Sequence, residues 1–224
     1  MVKSIDFIDK SIFNYLGADD YAVFIAVTGF CDEVACCENN VWIQYNEENE
    51  ITAVVATGRS GQNLVFSSDD ADADELNFLI GNNGGIRLDK KYLLKKCVLN
   101  PSPEKGVHKS LFWEIKTLNK KTVQTNGIVA MFKSVIHGMG KCEGALVTVD
   151  DMPVSGGFIT FTQNISIISD IYTDERYRGK GYGKEVVEKL LNCSINENVY
   201  LISKEHNLGF YKKCGFEIVK EIYV

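Results

Sequence analysis

The sequence predicts an α/β (α+β) fold: a mixed, mostly antiparallel sheet flanked by helices, in two tandem halves of similar design. Three observations predict it. Hydrophobic spacing switches repeatedly between the helical and the alternating kind. The stretch Asn100-Pro101-Ser102-Pro103-Glu104-Lys105-Gly106 holds two of the chain's three prolines and divides it near its middle. On either side of that stretch the order of elements is alike, with helices, an antiparallel meander, a helix and a strand, as a degenerate internal duplication would leave.

Taken in order, Ile5, Ile8, Ile12 and Leu16 recur at helical spacing, with Ser4 as cap and Gly17 as stop. A second helix begins near Asp19 and carries the apolar run 21–27. The period then changes. Residues 41–45 and 51–57 read as strands around the polar turn 46–50, and 62–67 as a third strand after a turn at 58–61. Residues 72–80 form a short helix with Leu76, Leu79 and Ile80 on one side, and Gly84-Gly85 lead into a strand at 86–88. The proline-rich stretch is the expected linker, giving domains at 1–100 and 107–224.

The second half opens with a helix at 128–137, ended by Gly138. Strands follow at 144–149, 154–162 and 164–173, the first two joined by a tight turn at 150–153. Simple alternation puts Ile165, Ile167, Ile171 and Thr173 on one face of the third. A glycine-rich turn then opens a helix reaching about Asn192, followed by a strand at 199–203, a helix at 206–214 and a last strand at 216–224.

Composition narrows the function. The 224 residues are 45% hydrophobic and 24% charged, enough for a sizeable core without disulfides or a metal. The net charge of −6 argues against non-specific nucleic-acid binding, which needs a basic face, and suits a cationic substrate such as an amine. The seven cysteines are odd in number and lack a C-x-x-C pair, so they read as reduced thiols of a cytoplasmic protein, with no metal site expected. Residues 1–10 alternate charge and hydrophobe, unlike a signal peptide, and the run 21–27 is too short to span a bilayer. A soluble protein with no membrane partner is expected. His108, His137 and His206 are scattered, and no G-x-S-x-G supports a serine hydrolase.

The informative segment is Ile171-Tyr172-Thr173-Asp174-Glu175-Arg176-Tyr177-Arg178-Gly179-Lys180-Gly181-Tyr182-Gly183-Lys184. A hydrophobic strand runs into glycines at every second position and then into an amphipathic helix, with Val186, Val187, Leu190 and Leu191 on its apolar face. The first turn of a helix has unpaired N–H groups and a partial positive charge, and glycines let that backbone approach a phosphate. Arg178, Lys180 and Lys184 add cationic charge, so a pyrophosphate is the natural guest. A dinucleotide fold would put such glycines after the first strand of a parallel βαβ unit, and a Walker loop needs Ser or Thr after its lysine, where Lys184 is followed by Glu185. A turn that merely changes direction rarely needs three alternating glycines among three cations.

The segment resembles the acyl-CoA signature [RQ]-x-x-G-x-[GA] of the GNAT superfamily of N-acetyltransferases, with Arg178, Gly181 and Gly183 in the fixed positions. Downstream, Asn207-Leu208-Gly209-Phe210-Tyr211-Lys212-Lys213-Cys214-Gly215-Phe216 is similar to the family's N-x-x-x-x-Y-x-x-x-G-F block. The resemblance covers about 128–224. It implies acetyl-CoA as acyl donor and direct attack by an amine of a small molecule or peptide. Backbone groups of Ile171, Tyr172 and Thr173 would hold the pantetheine arm and polarise the thioester. Those of Arg178, Gly179, Lys180, Gly181, Tyr182, Gly183 and Lys184 would hold the pyrophosphate. Asn207 would contact the arm, and Tyr211 would protonate the departing thiolate. Asp170 is the candidate base or amine-binding group, with water as the alternative.

Against the family pattern, the chain stops after what would be the sixth strand. The N-terminal half or a partner chain is expected to supply the missing one, and an exposed sheet edge would suit a homodimer. The N-terminal half resembles a degenerate GNAT domain in element order but lacks the signature at 62–77, so it is expected to bind no CoA. A non-catalytic CoA-binding module and transfer of a longer acyl group are the competing readings.

Overall fold

Apolar residues alternate along the strands and recur every three or four along the helices, and this pattern decides which faces are buried. The computed structural model describes residues 2–4, 10–28, 41–57, 63–80, 90–99, 101, 142–150 and 152–223. The helix expected at 128–137, the strand at 86–88, the turn at 58–61 and nearly all of the proline-rich linker lie outside the described residues. The chain forms two compact units, each drawn from more than one segment: Met1–Leu93 with Ile202–Glu205 and Ile218–Val224, and Leu94–Leu201 with His206–Glu217.

In the first unit, β1 (Val2–Ser4), β2 (Val41–Tyr45), β3 (Ile51–Thr57) and β4 (Asn63–Ser67) form an antiparallel sheet in that order. Ser4, expected as a helix cap, pairs with Trp42 as a strand residue of this sheet. Helix α1 (Lys10–Thr28) starts later and breaks at Gly17, whose φ of 69° and ψ of 172° are not helical. The two expected helices therefore meet end to end at that residue. Helix α2 (Ala73–Ile80) is capped by Asp72, whose Oδ1 accepts from the N–H groups of Asp74 and Glu75 at 3.0 and 3.1 Å. Leu76 of α2 packs on Ala53 and Val55. Strand β5 (Lys90–Cys97) begins in this unit beside β10 (Glu217–Tyr223), where Lys90 and Glu221 pair at 2.8 Å.

The second unit carries the glycine-rich segment. Its strands run in the order β5-β9-β8-β7-β6, with β6 (Cys142–Val149), β7 (Met152–Phe161), β8 (Ser166–Thr173) and β9 (Asn198–Ser203). β6, β7 and β8 are an antiparallel meander, and β8 pairs parallel with β9. β5, which precedes the proline-rich stretch in sequence, lies next to β9 in this sheet. Consecutive Tyr92, Leu93 and Leu94 are all buried, so β5 shows no alternation, and periodicity alone does not single it out. Helix α3 (Tyr182–Asn192) lies over β6, β7 and β8 and buries Val186, Val187, Leu190 and Leu191. Glu185 and Lys189 pair at 2.9 Å on its wet side, where such pairs add little stability. Helix α4 (Leu208–Lys213) follows a 3₁₀ turn at Glu205–Asn207.

Candidate functional site

The site begins with a defect in β8. Ser169 pairs with Phe158 of β7 and Tyr172 pairs with Gly156, so Asp170 and Ile171 together face the single residue Gly157. This is a β-bulge, and Asp170 takes its bend with φ at 54°, a left-handed value that Asp tolerates better than most residues. The extra residue reverses the phase of the strand. Ile167 pairs with Thr160 on one face, whereas Thr173 pairs with Ser155 on the other, so Ile165 and Ile167 do not share a face with Ile171 and Thr173 as alternation predicts.

β8 also parts from β9. The parallel ladder comprises Ser166 with Val199 and Ile167 with Tyr200, and beyond it the β9-facing backbone of β8 has no strand beside it among the described residues. A buried polar cluster pins the closed end. Asn196 donates to the carbonyl of Thr162 at 3.1 Å and to Ser166 Oγ at 3.2 Å, and Ser166 Oγ lies 3.0 Å from Ser194 Oγ. Ser155, fully buried, donates to the carbonyl of Tyr172 at 2.9 Å and lies 2.8 Å from Thr173 Oγ1, steadying the open end.

The opening between β8, the glycine-rich loop and α4 is a cleft of about 560 Å³. Ile171, Tyr172 and Thr173 form one wall. Asp174 caps the 3₁₀ turn Glu175–Tyr177 and takes both the backbone and the guanidinium of Arg176, which holds its carboxyl below the usual range. Arg178 then donates to the carbonyl of Thr173 at 3.2 Å and lines the cleft. Gly179 and Gly181 turn the chain with φ of 77° and 92°, where a side chain would be strained. The first intrahelical bond of α3 runs from the Glu185 N–H to the Gly181 carbonyl at 3.1 Å. The N–H groups of Tyr182, Gly183 and Lys184 are thus left without helical partners at the cleft. A β-carbon on Gly183 would stand 3.1 Å from Thr173 Oγ1 and 3.4 Å from Phe210 Cζ, so glycine lets strand, loop and α4 close together there.

Helix α4 forms the opposite wall. Asn207, Phe210, Tyr211 and Cys214 line the cleft at i, i+3, i+4 and i+7, joined by His206 and Lys213. The Tyr211 ring packs edge-on against Phe210 and Phe216 at centroid distances of 4.9 and 6.2 Å. Burial, with a smaller effect of Cys214, pushes its phenol up to about 12. Its hydroxyl has no hydrogen-bond partner among the described residues. The helix ends in a Schellman turn, with Gly215 N–H on the Lys212 carbonyl, Phe216 N–H on the Tyr211 carbonyl and Gly215 at φ 85°. Lys96 of β5 donates to the Cys214 carbonyl at 2.7 Å, a cation at the negative end of the helix.

Of the residues singled out in the sequence, eleven meet in this cleft: Ile171, Tyr172, Thr173, Arg178, Gly179, Gly181, Tyr182, Gly183, Lys184, Asn207 and Tyr211. Two do not line it. Lys180 holds its ammonium over the Tyr177 ring, 5.0 Å from the centroid, and Asp170 is exposed on the bulge. The sequence reading missed Phe210 and Cys214, which the helical stripe from Asn207 would have found. It also missed Tyr177, His206 and Lys213, which carry no such signal. Among the described residues there is no cluster of His, Cys, Asp or Glu fit for a metal, and no helix long and apolar enough to cross a membrane.

A mostly antiparallel α/β unit, with a bulged strand leading through a glycine-rich turn into a helix start that meets a cleft, is the class of protein this half defines. Residues 142–218 match the family model for the acetyltransferase (GNAT) domain, which places that segment of the C-terminal half in the GNAT superfamily. Among solved structures, the chain is similar to the GCN5-related glucosamine N-acetyltransferase region of a fungal multi-domain GH3 β-N-acetylglucosaminidase, at 10% identity and a TM-score of 0.52. That match covers 100% of this chain and 37% of the other, and it is a likeness of fold. A GNAT-family protein from Novosphingobium aromaticivorans matches at 17% identity over 61% of this chain, with a TM-score of 0.42. The chain spans 62% of the length of that protein. Glucosamine-6-phosphate N-acetyltransferase from Arabidopsis thaliana matches at 19% identity, covering 56% of this chain and 91% of its own, with a TM-score of 0.34.

Proposed function

We propose that the C-terminal half transfers an acetyl group from acetyl-CoA to a primary amine of a small molecule or peptide. The observation that carries this reading is the convergence, in one cleft, of the α3 N-terminus, the unpaired edge of β8 and the Tyr211 hydroxyl. The cleft suits the donor. Left-handed Gly179 and Gly181 and the missing β-carbon of Gly183 leave room for a diphosphate against the N–H groups of Tyr182, Gly183 and Lys184. Arg178 and Lys184 add charge there, Lys180 stands just outside, and Asn207, which lines the cleft, would contact the pantetheine arm.

The edge of β8 at Ile171, Tyr172 and Thr173, with the Tyr172 carbonyl held by Ser155 and the Thr173 carbonyl by Arg178, would pair through its remaining groups with the amide-bearing arm and polarise the thioester carbonyl. The amine nitrogen bonds to the carbonyl carbon and the carbon–sulfur bond breaks. Tyr211 gives its proton to the leaving sulfur and regains one from solvent, while the nitrogen sheds its extra proton to water or to Asp170 at the bulge. Holding the two reactants together supplies the rest of the acceleration.

The test is acetyl-CoA-dependent release of free thiol over a panel of amino sugars, polyamines and peptides. Turnover with at least one acceptor is expected, reduced about a hundredfold in Tyr211→Phe with acetyl-CoA affinity nearly unchanged. Equal turnover by the two proteins would remove Tyr211 as the acid. CoA binding without turnover on any acceptor would leave a binding module, and turnover only with longer acyl donors would change the donor.

A further inference from the structure

Gly157 stands in the middle of β7, where glycine weakens a strand and marks a close approach of something else. It is the residue that faces the bulge. A β-carbon built on it would overlap Ile171 Cδ1, and would lie 3.3 Å from Val186 Cγ1 and 3.4 Å from Ile171 Cα. Val186 is fully buried and belongs to the first turns of α3, the helix whose start forms the anion-binding loop. The Ile171 side chain therefore fills the space over Gly157 and abuts α3. The cleft wall at Ile171 and the helix at Val186 are fixed relative to one another through the place where a β-carbon is missing.

We propose that Gly157 is a positioning residue for acyl transfer. Its bare backbone lets Ile171 seat the bulge against α3, and this sets the spacing between the thioester-facing strand edge and the diphosphate-binding helix start. The proposal rests on the acetyl-CoA reading above. With alanine at 157, the Ile171 terminal methyl must turn away, and Val186 closes one direction. The side chain then swings toward the cleft that Ile171 lines, while Ile171 Cα, at 3.4 Å, stays at ordinary van der Waals distance. This movement unseats Ile171 from α3 and brings its side chain into the cleft beside the reacting carbon, and it leaves the α3 N–H groups in place. A small displacement of this kind is enough to lower turnover strongly.

Three variants test this: Gly157→Ala, Ile171→Val and the two combined. The double variant moves one methyl across the contact and nearly conserves volume. The readouts are kcat for acetyl transfer, the Kd for free CoA and thermal unfolding. Gly157→Ala should lower kcat by about 10- to 100-fold and change the Kd for CoA by less than about threefold, because the diphosphate contacts are untouched. The double variant should return to within about fivefold of wild-type kcat. A folded Gly157→Ala with wild-type kcat, or a folded double variant as slow as it, would overturn the proposal. If Gly157→Ala does not fold, the double variant is compared with Ile171→Val: similar kcat supports the role, and a loss beyond about tenfold contradicts it. Folded wild-type protein that binds no CoA would overturn the acetyl-CoA reading and this role with it. Wild-type binding beside an unaffected Gly157→Ala would overturn this role alone.

Discussion

Tyr211 is held in its neutral form by its surroundings. Packing against Phe210 and Phe216 keeps water from the phenolate and pushes the pKa from 10.0 up to about 12. The group proposed above as proton donor is thereby kept protonated at neutral pH. The same shift has a consequence for stability. Below pH 10 the phenol is protonated in both folded and unfolded chains, and nothing changes. Between about pH 10 and about 12 the unfolded chain sheds the proton first, so this residue's contribution is lost as pH rises through that window. Urea midpoints should therefore fall more steeply between pH 9.5 and 11.5, about that window, in wild-type protein than in Tyr211→Phe. Parallel curves would place the phenol in water. In the sequence, Tyr211 was legible through its motif with Asn207 and Phe216, whereas Phe210 and Cys214 were not. The motif fixes only Asn207, Tyr211, Gly215 and Phe216, and the helical stripe from Asn207 is the signal that adds Phe210 and Cys214.

Elements turn these residues into a cleft. The polar cluster of Asn196, Ser166, Ser194 and Thr162 holds β8 to β9 at one end, and the bulge at Asp170 turns β8 outward at the other. Asn196→Ala would leave the Thr162 carbonyl and Ser166 Oγ without this partner in a buried place. It should cost roughly 2–3 kcal/mol in urea unfolding; a loss under about 0.5 kcal/mol would show that water or rearrangement replaces it. The helix that ends at Asn192, the three strands of the meander and the glycine turn were legible, because each has a full period or a steric signature. The bulge was not, since only the register with Gly157 exposes the extra residue. Strand β5 escaped for the opposite reason: buried Tyr92, Leu93 and Leu94 form a continuous apolar run with lysines at both ends.

At the scale of the molecule, the two units differ in charge where they are hollow. The cleft of the C-terminal half presents Arg178, Lys184, Lys213 and a helix N-terminus. A second hollow, of about 440 Å³ in the N-terminal half, is lined by Glu47, Asp70, Asp72 and Glu75, which repel a diphosphate. One donor site per chain is therefore the prediction. Calorimetric titration of the full chain with acetyl-CoA, beside a Gly181→Glu, Gly183→Glu double variant, tests the central claim most directly. Binding of one acetyl-CoA per chain, abolished in the folded double variant, is the predicted result. Folded wild-type protein that binds none, or binding that survives two carboxylates at the start of α3, would contradict it.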